Sequence, residues 1–242
     1  MAGESAERQE NGFLAAVMNK VAESGGKPIR VTGIVGSIKN VQKAYKFTGI
    51  TQMGNEPYTD VVLDTTSSKV NISMKGESAP SLAGGGLSGI ELSLPGYGRK
   101  FMEAALNYHL KNGLLPGEKV PDVFARINEG DKRILVEGTS AMGGPVHYMY
   151  IGPMEVRVTS TSLDFTQVIL NGKLIKADEY ARDKDLWLRL RARRDDQTFD
   201  PKGKDNMGIP TVYGRSPSKG DSKGRIVVTD KKTAGIQGLV NI

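Results

Sequence analysis

The chain contains no cysteine and only two histidines, His109 and His147. These absences exclude structural zinc, iron–sulfur clusters, thiol catalysis and disulfide staples together, because each needs thiolate or imidazole groups in number. Any catalytic metal must therefore be held by oxygen. Long apolar runs are missing too: none approaches the ~18 residues that a membrane-crossing helix requires. The stretch from Met1 to Asn11 is polar and acidic and has none of the zones of a signal peptide. The expectation is a soluble, unexported chain with no membrane partner.

What is present is ordinary globular composition, 242 residues with 38% hydrophobic and 25% charged, enough for a real core in one domain or a domain plus an extension. The 33 Lys and Arg outnumber the 27 Asp and Glu by six. That surplus is local: residues 181–242 hold 14 Lys and Arg against 8 Asp and Glu, leaving the first 180 residues balanced. A basic end of this kind is an electrostatic footprint for a polyanion. DNA fits better than a lipid surface, because no basic helix with a bulky apolar face accompanies the charge.

Periodicity predicts an opening helix over Glu7 to Glu23, with Phe13, Leu14, Val17, Met18 and Val21 at helical spacing and Gly25-Gly26 as the stop. Strands are predicted at Ile29 to Val35, Val41 to Phe47, Tyr58 to Leu63 and Lys69 to Lys75, the last two forming a hairpin. The run Ser81 to Gly89 reads as loop, since each internal glycine costs a helix ~1 kcal/mol relative to alanine. A second helix is predicted over Arg99 to Asn112, and strands at Arg133 to Glu137 and Val146 to Val158. Asn171-Gly172 between two β-rich runs predicts a tight hairpin. Leu186 to Arg193 alternates strictly, with Leu186, Leu188, Leu190 and Ala192 on one face and Trp187, Arg189, Arg191 and Arg193 on the other. From Asp195 to Gly224 the composition reads as a flexible arm. The fold class is α/β (α+β): a mixed central sheet flanked by helices, over residues 1–180, with a β-rich basic extension over 181–242.

The candidate chemistry lies on the hairpin. Asp60 and Asp64 sit on or at the end of its first strand, and Ser73-Met74-Lys75 closes the second, with Ser73 and Lys75 on one face. Hard oxygen ligands for Mg²⁺ or Mn²⁺ and a lysine to polarise water are what metal-assisted phosphodiester cleavage needs. A second carboxylate is required, with Glu91, Glu77 and Glu10 as the options. Gly84-Gly85-Gly86 offers a side-chain-free approach for a phosphate backbone. Arg189, Arg191 and Arg193, extended by Arg194, are spaced along a strand at ~7 Å, near the separation of successive phosphates.

Asp60, Ser73-x-Lys75 and Glu91 together resemble the PD-(D/E)xK superfamily of restriction-endonuclease-like nucleases, in a variant form with Ser where Asp or Glu usually precedes the lysine. The resemblance covers roughly residues 7–112. It implies a restriction-endonuclease-like core, catalytic roles for Asp60, Ser73, Lys75 and Glu91, and metal binding by Asp60, Asp64 and Glu91. The overall texture is similar to bacteriophage proteins, which places the chain in host cytoplasm or in a virion. Two classes follow: an endonuclease acting on DNA, or a non-enzymatic virion component that keeps a nuclease-like fold and packs as a homo-oligomer or against other subunits.

Overall fold

In the first helix, α1 (Ala2–Glu23), residues spaced by four turn one stripe inward: Gln9, Phe13 and Val17 are all buried, and charged residues take the remaining faces. The computed structural model describes residues 2–51, 56–77, 86–159, 164–230 and 238–242. After α1 come β1 (Ile29–Thr32), β2 (Ser37–Lys46), β3 (Val61–Thr65) and β4 (Lys69–Gly76). The middle of the chain supplies α2 (Gly86–Ser93), α3 (Tyr97–Lys111), β5 (Val123–Arg126) and α4 (Glu129–Glu137). Then follow β6 (Tyr148–Gly152), β7 (Gln167–Ile169), β8 (Lys173–Lys176), α5 (Ala177–Asp183), β9 (Trp187–Arg191), β10 (Arg225–Thr229) and β11 (Gly238–Val240). The expected mixed α/β class holds. Among the described residues no helix is long and apolar enough to cross a membrane.

The division of the chain differs from a core over 1–180 with an extension after it. Two units form, each from two separate stretches: Met1–Pro80 with Val136–Asp183, and Ser81–Leu135 with Lys184–Ile242. The reason lies in strand pairing, since β5 finds its neighbour in β9 rather than in any earlier strand.

The first unit is a seven-stranded mixed sheet in the order β7-β1-β2-β3-β4-β6-β8. β7 and β8 follow each other in sequence but stand at opposite ends of that order, so the sheet curls until its edges meet. Backbone bonds lace the seam: Leu170 N to Thr32 O at 2.8 Å, Ile34 N to Gly172 O at 2.7 Å and Leu174 N to Val35 O at 2.8 Å. The Asn171-Gly172 dipeptide therefore does not make the expected hairpin. β7 pairs in parallel with β1, and β8 pairs antiparallel with β6. The core is formed by Phe13 and Val17 of α1 packed with Val31, Val41, Leu63, Ile72, Tyr150 and Leu174 of the sheet.

In the second unit β9 pairs antiparallel with both β5 and β10, and β11 adds in parallel to β5. Alternation in β9 is as expected from Leu188 to Arg191, with Leu188 and Leu190 fully buried and Arg189 and Arg191 partly exposed, but Trp187, expected on the arginine face, is buried as well. Two expectations fail here. Arg133 to Glu137 belongs to α4, not to a strand. Glu129 and Asp131 favour the helix N-terminus, Glu129 pairs with the buried Lys132 at 2.7 Å, and Leu135 and Val136 are buried. Gly86 to Gly89 are the opening of α2 rather than loop.

The stretch from Asp195 to Gly224 is folded rather than a free arm. Phe199, Ile209, Val212 and Tyr213 anchor it, each no more than 2% exposed. Buried Gln197 accepts from the Arg193 and Arg194 amides and donates to the Asp221 carbonyl. Few apolar residues suffice because aspartates close the turns, as where Asp205 Oδ1 accepts from Met207 N and Ile209 N.

Candidate functional site

Asp60 enters β3 through two backbone bonds, its N–H donating to Ile72 and its carbonyl accepting from Phe47. The β3–β4 register ends at Val61↔Ile72, so the ladder offers no β3 carbonyl to the Met74 N–H. The Asp60 side chain takes that place: Oδ2 accepts from Met74 N at 2.6 Å and from Ser73 Oγ at 3.2 Å, with Lys75 Nζ at 4.0 Å. The three residues expected on the hairpin do converge. Burial pushes the Asp60 carboxyl up from its ordinary value, while Lys75, the Met74 amide and the Ser73 hydroxyl pull the other way. The side chains are mostly enclosed, with 14% of Asp60 and 20% of Lys75 exposed.

The surroundings add one pair. Glu10 of α1 binds Lys46 at 2.8 Å, and that hydrogen bond raises the lysine above its usual value, with Asp60 adding a weaker attraction. Glu10 is thus in the electrostatic neighbourhood of Asp60, spent on a lysine. Sequence reasoning missed Gln9, whose Nε2 donates to Gly152 O at 2.9 Å, Pro153 O at 3.1 Å and Lys75 O at 3.2 Å. Its only sequence signal is a polar residue on the stripe that also carries Phe13 and Val17.

The remaining candidates make other contacts. Asp64, four residues along from Asp60 and so ~13 Å away on an extended strand, faces Tyr45 Oη at 3.1 Å. Glu77 is exposed beyond β4. Glu91 belongs to the second unit and caps α3, its Oε1 accepting from Arg99 N at 2.6 Å and its Oε2 from Gly96 N at 2.9 Å. Glu91→Ala should accordingly cost about 1 kcal/mol of stability, as lost caps do, read as a lowered urea midpoint; an unchanged midpoint would contradict the capping role. Gly84 and Gly85 lie outside the described residues, and Gly86 opens α2.

Mg²⁺ and Mn²⁺ fail a direct test of fit. Octahedral coordination needs carboxylate oxygens that are free to turn toward the ion. Asp60 is the carboxylate paired with Lys75, and its Oδ2 is taken by an amide and a hydroxyl, with Glu56 in electrostatic reach only. The described residues include every Asp, Glu and His of the chain, and among them no group of three or more is placed to hold a metal ion.

The arginine row is likewise divided. Arg189 lies over the Phe124 ring at 5.6 Å and binds Asp122 Oδ2 through Nε at 2.7 Å and through Nη2. Arg193 pairs with Asp221 at 2.9 Å, and the Arg194 backbone is held by Gln197. Arg191 makes no ion pair among the described residues. Its neighbour in register on β10 is another arginine, Arg225. Comparison of the chain with known protein families, with curated proteins and with solved structures returned no match.

Proposed function

We propose that this protein binds DNA through its second unit and that its first unit is a nuclease-like core without cleaving activity. The observation that carries the reading is the collection of the basic surplus into one unit, where Arg189, Arg191 and Arg225 meet on adjacent strands of one sheet with Asp122 the acidic partner bound to Arg189. Counterion release from such a surface makes binding strongly salt-dependent. Of the two classes the sequence leaves open, this is the non-enzymatic one.

A metal-dependent endonuclease is the second reading, favoured by the meeting of Asp60, Ser73 and Lys75. Against it stands the absence, among the described residues, of any group of three or more acidic or histidine side chains placed to hold a metal ion. Incubation with supercoiled plasmid and Mg²⁺ or Mn²⁺ decides between them. The expected result is retention of the plasmid, weakening steeply between ~50 and ~200 mM salt, without nicking. Nicking that Lys75→Ala abolishes would overturn the non-cleaving reading, and the absence of any salt-sensitive retention would remove DNA binding itself.

A further inference from the structure

Charges of one sign placed directly opposite each other on neighbouring strands repel, and a sheet tolerates the arrangement only at a cost. Arg191 and Arg225 are such a pair, in register at one end of the β9–β10 ladder. Side chains of directly opposed residues start from Cβ atoms about 5 Å apart and point to the same face. Two positions along, Arg189 shares that face by strand periodicity, so three guanidinium groups gather there. Asp122 is bound to Arg189, which leaves two cationic charges uncompensated. Arg225 is exposed and Arg191 half-buried, so the pair opens to solvent. Burial and the repulsion of Arg189 and Arg225 hold Arg191 below the usual guanidinium range, with Asp122 the one opposing influence.

The same contacts rule out a phosphate track. Arg189 and Arg193, which would continue the row, are committed to Asp122 and Asp221. What remains is a single two-armed site. A bridging phosphodiester carries one negative charge, and would leave one of the two guanidinium charges uncompensated. A phosphate monoester carries close to two at neutral pH, with three terminal oxygens for the planar donors of arginine.

We propose that Arg191 and Arg225 form a clamp for a phosphate monoester, with the terminal phosphate of a DNA strand as its ligand. The polymer part of this inference rests on the DNA-binding reading above; the phosphate part does not. The clamp distinguishes a phosphorylated strand end from continuous backbone, while the other basic residues of the unit supply end-independent binding.

The test compares one linear duplex bearing either terminal phosphates or terminal hydroxyls, at its 5′ or its 3′ ends, with a closed circular plasmid as the end-free control. Wild type should bind the phosphorylated duplex at least ~10-fold more tightly, the effect of one strong charge-assisted contact. Arg225→Ala and Arg191→Ala should each erase that difference, and should weaken plasmid binding no more than they weaken binding of the hydroxyl-ended duplex. Arg225 is exposed, so its variant keeps the test sound if Arg191→Ala folds poorly. A parallel arm asks whether inorganic phosphate, against chloride at equal ionic strength, raises the melting temperature of wild type but not of Arg225→Ala.

Phosphate stabilisation without any DNA binding would retain the clamp, assign it to a free phosphorylated small molecule, and refute the DNA reading. Equal affinity for phosphorylated and hydroxyl ends, with no phosphate-dependent shift, would overturn the clamp even if salt-sensitive DNA binding is intact.

Discussion

Gly36→Ala should destabilise the first unit by about 4 kcal/mol, the range of the most damaging single substitutions, and lower its melting temperature by roughly 10 °C. Gly36 adopts φ +78°, where a side chain costs about 1–2 kcal/mol, and an added Cβ would stand 1.9 Å from the Leu174 carbonyl oxygen. That oxygen is backbone at the seam between the β1 and β8 ends of the curled sheet, where Leu174 N donates to Val35 O. It cannot rotate away, so the methyl group has to part the seam. The control is Gly25→Ala: φ is +68° there too, but nothing lies within 4 Å of an added Cβ. It should lose about 1 kcal/mol, the backbone cost alone. Thermal melts followed by far-UV circular dichroism measure both, and equal losses would mean that the seam is not tight.

Phe13→Ala should cost a comparable 3–5 kcal/mol, the usual price of emptying a buried phenylalanine site. Phe13 is fully buried among sheet residues, and its ring meets that of Tyr150 edge to face at 5.3 Å and 70°. The aromatic contact adds about 0.5–1.5 kcal/mol beyond the area removed from water. Because the ring comes from α1 and its neighbours from the sheet, its loss weakens the attachment of the helix. A smaller drop is expected for Phe13→Leu, which keeps most of the volume. Urea titration checks the pair. If Phe13→Ala unfolds at the wild-type midpoint, α1 contributes little to the core.

These two sites show what the sequence could and could not reveal. The stripe of Phe13 and Val17 was legible because helical spacing is a local property. So was the meeting of Asp60, Ser73 and Lys75, since a short hairpin fixes its own register. The seam was not, because it depends on strands distant in sequence. Asn171-Gly172 carries the composition of a hairpin turn, yet the side chain of Asn171 is used elsewhere, its Oδ1 accepting from Tyr150 Oη at 3.0 Å and from Arg157 N at 2.9 Å. Gly172 lies so close to Tyr150 that an added Cβ would stand 2.3 Å from the ring. Curling of the whole sheet, not the dipeptide, decides which strands pair.

Glu91 has a structural use that the motif did not reveal, for a related reason. A glutamate some distance after Lys75 satisfies a motif by count, whereas its oxygens answer to the nearest unpaired amides, those at the start of α3. Arg133 to Glu137 is too short an apolar run for periodicity to separate strand from helix. The arginine alternation was legible to the residue, but which arginines are free was not. That depends on Asp122 and Asp221, each brought in from another part of the second unit.

The interleaving of the two units has a consequence for biosynthesis. A ribosome releases the chain from its N-terminus, so β4 emerges with β3 beside it and waits for its other neighbour, β6, until the whole stretch through α4 has followed. β5 in turn waits for β9. Neither unit can be completed while the nascent chain is short, and any truncation before Asp183 removes part of both. A chaperone meeting the growing polypeptide therefore encounters open strand edges, and closure of the first sheet is a late event.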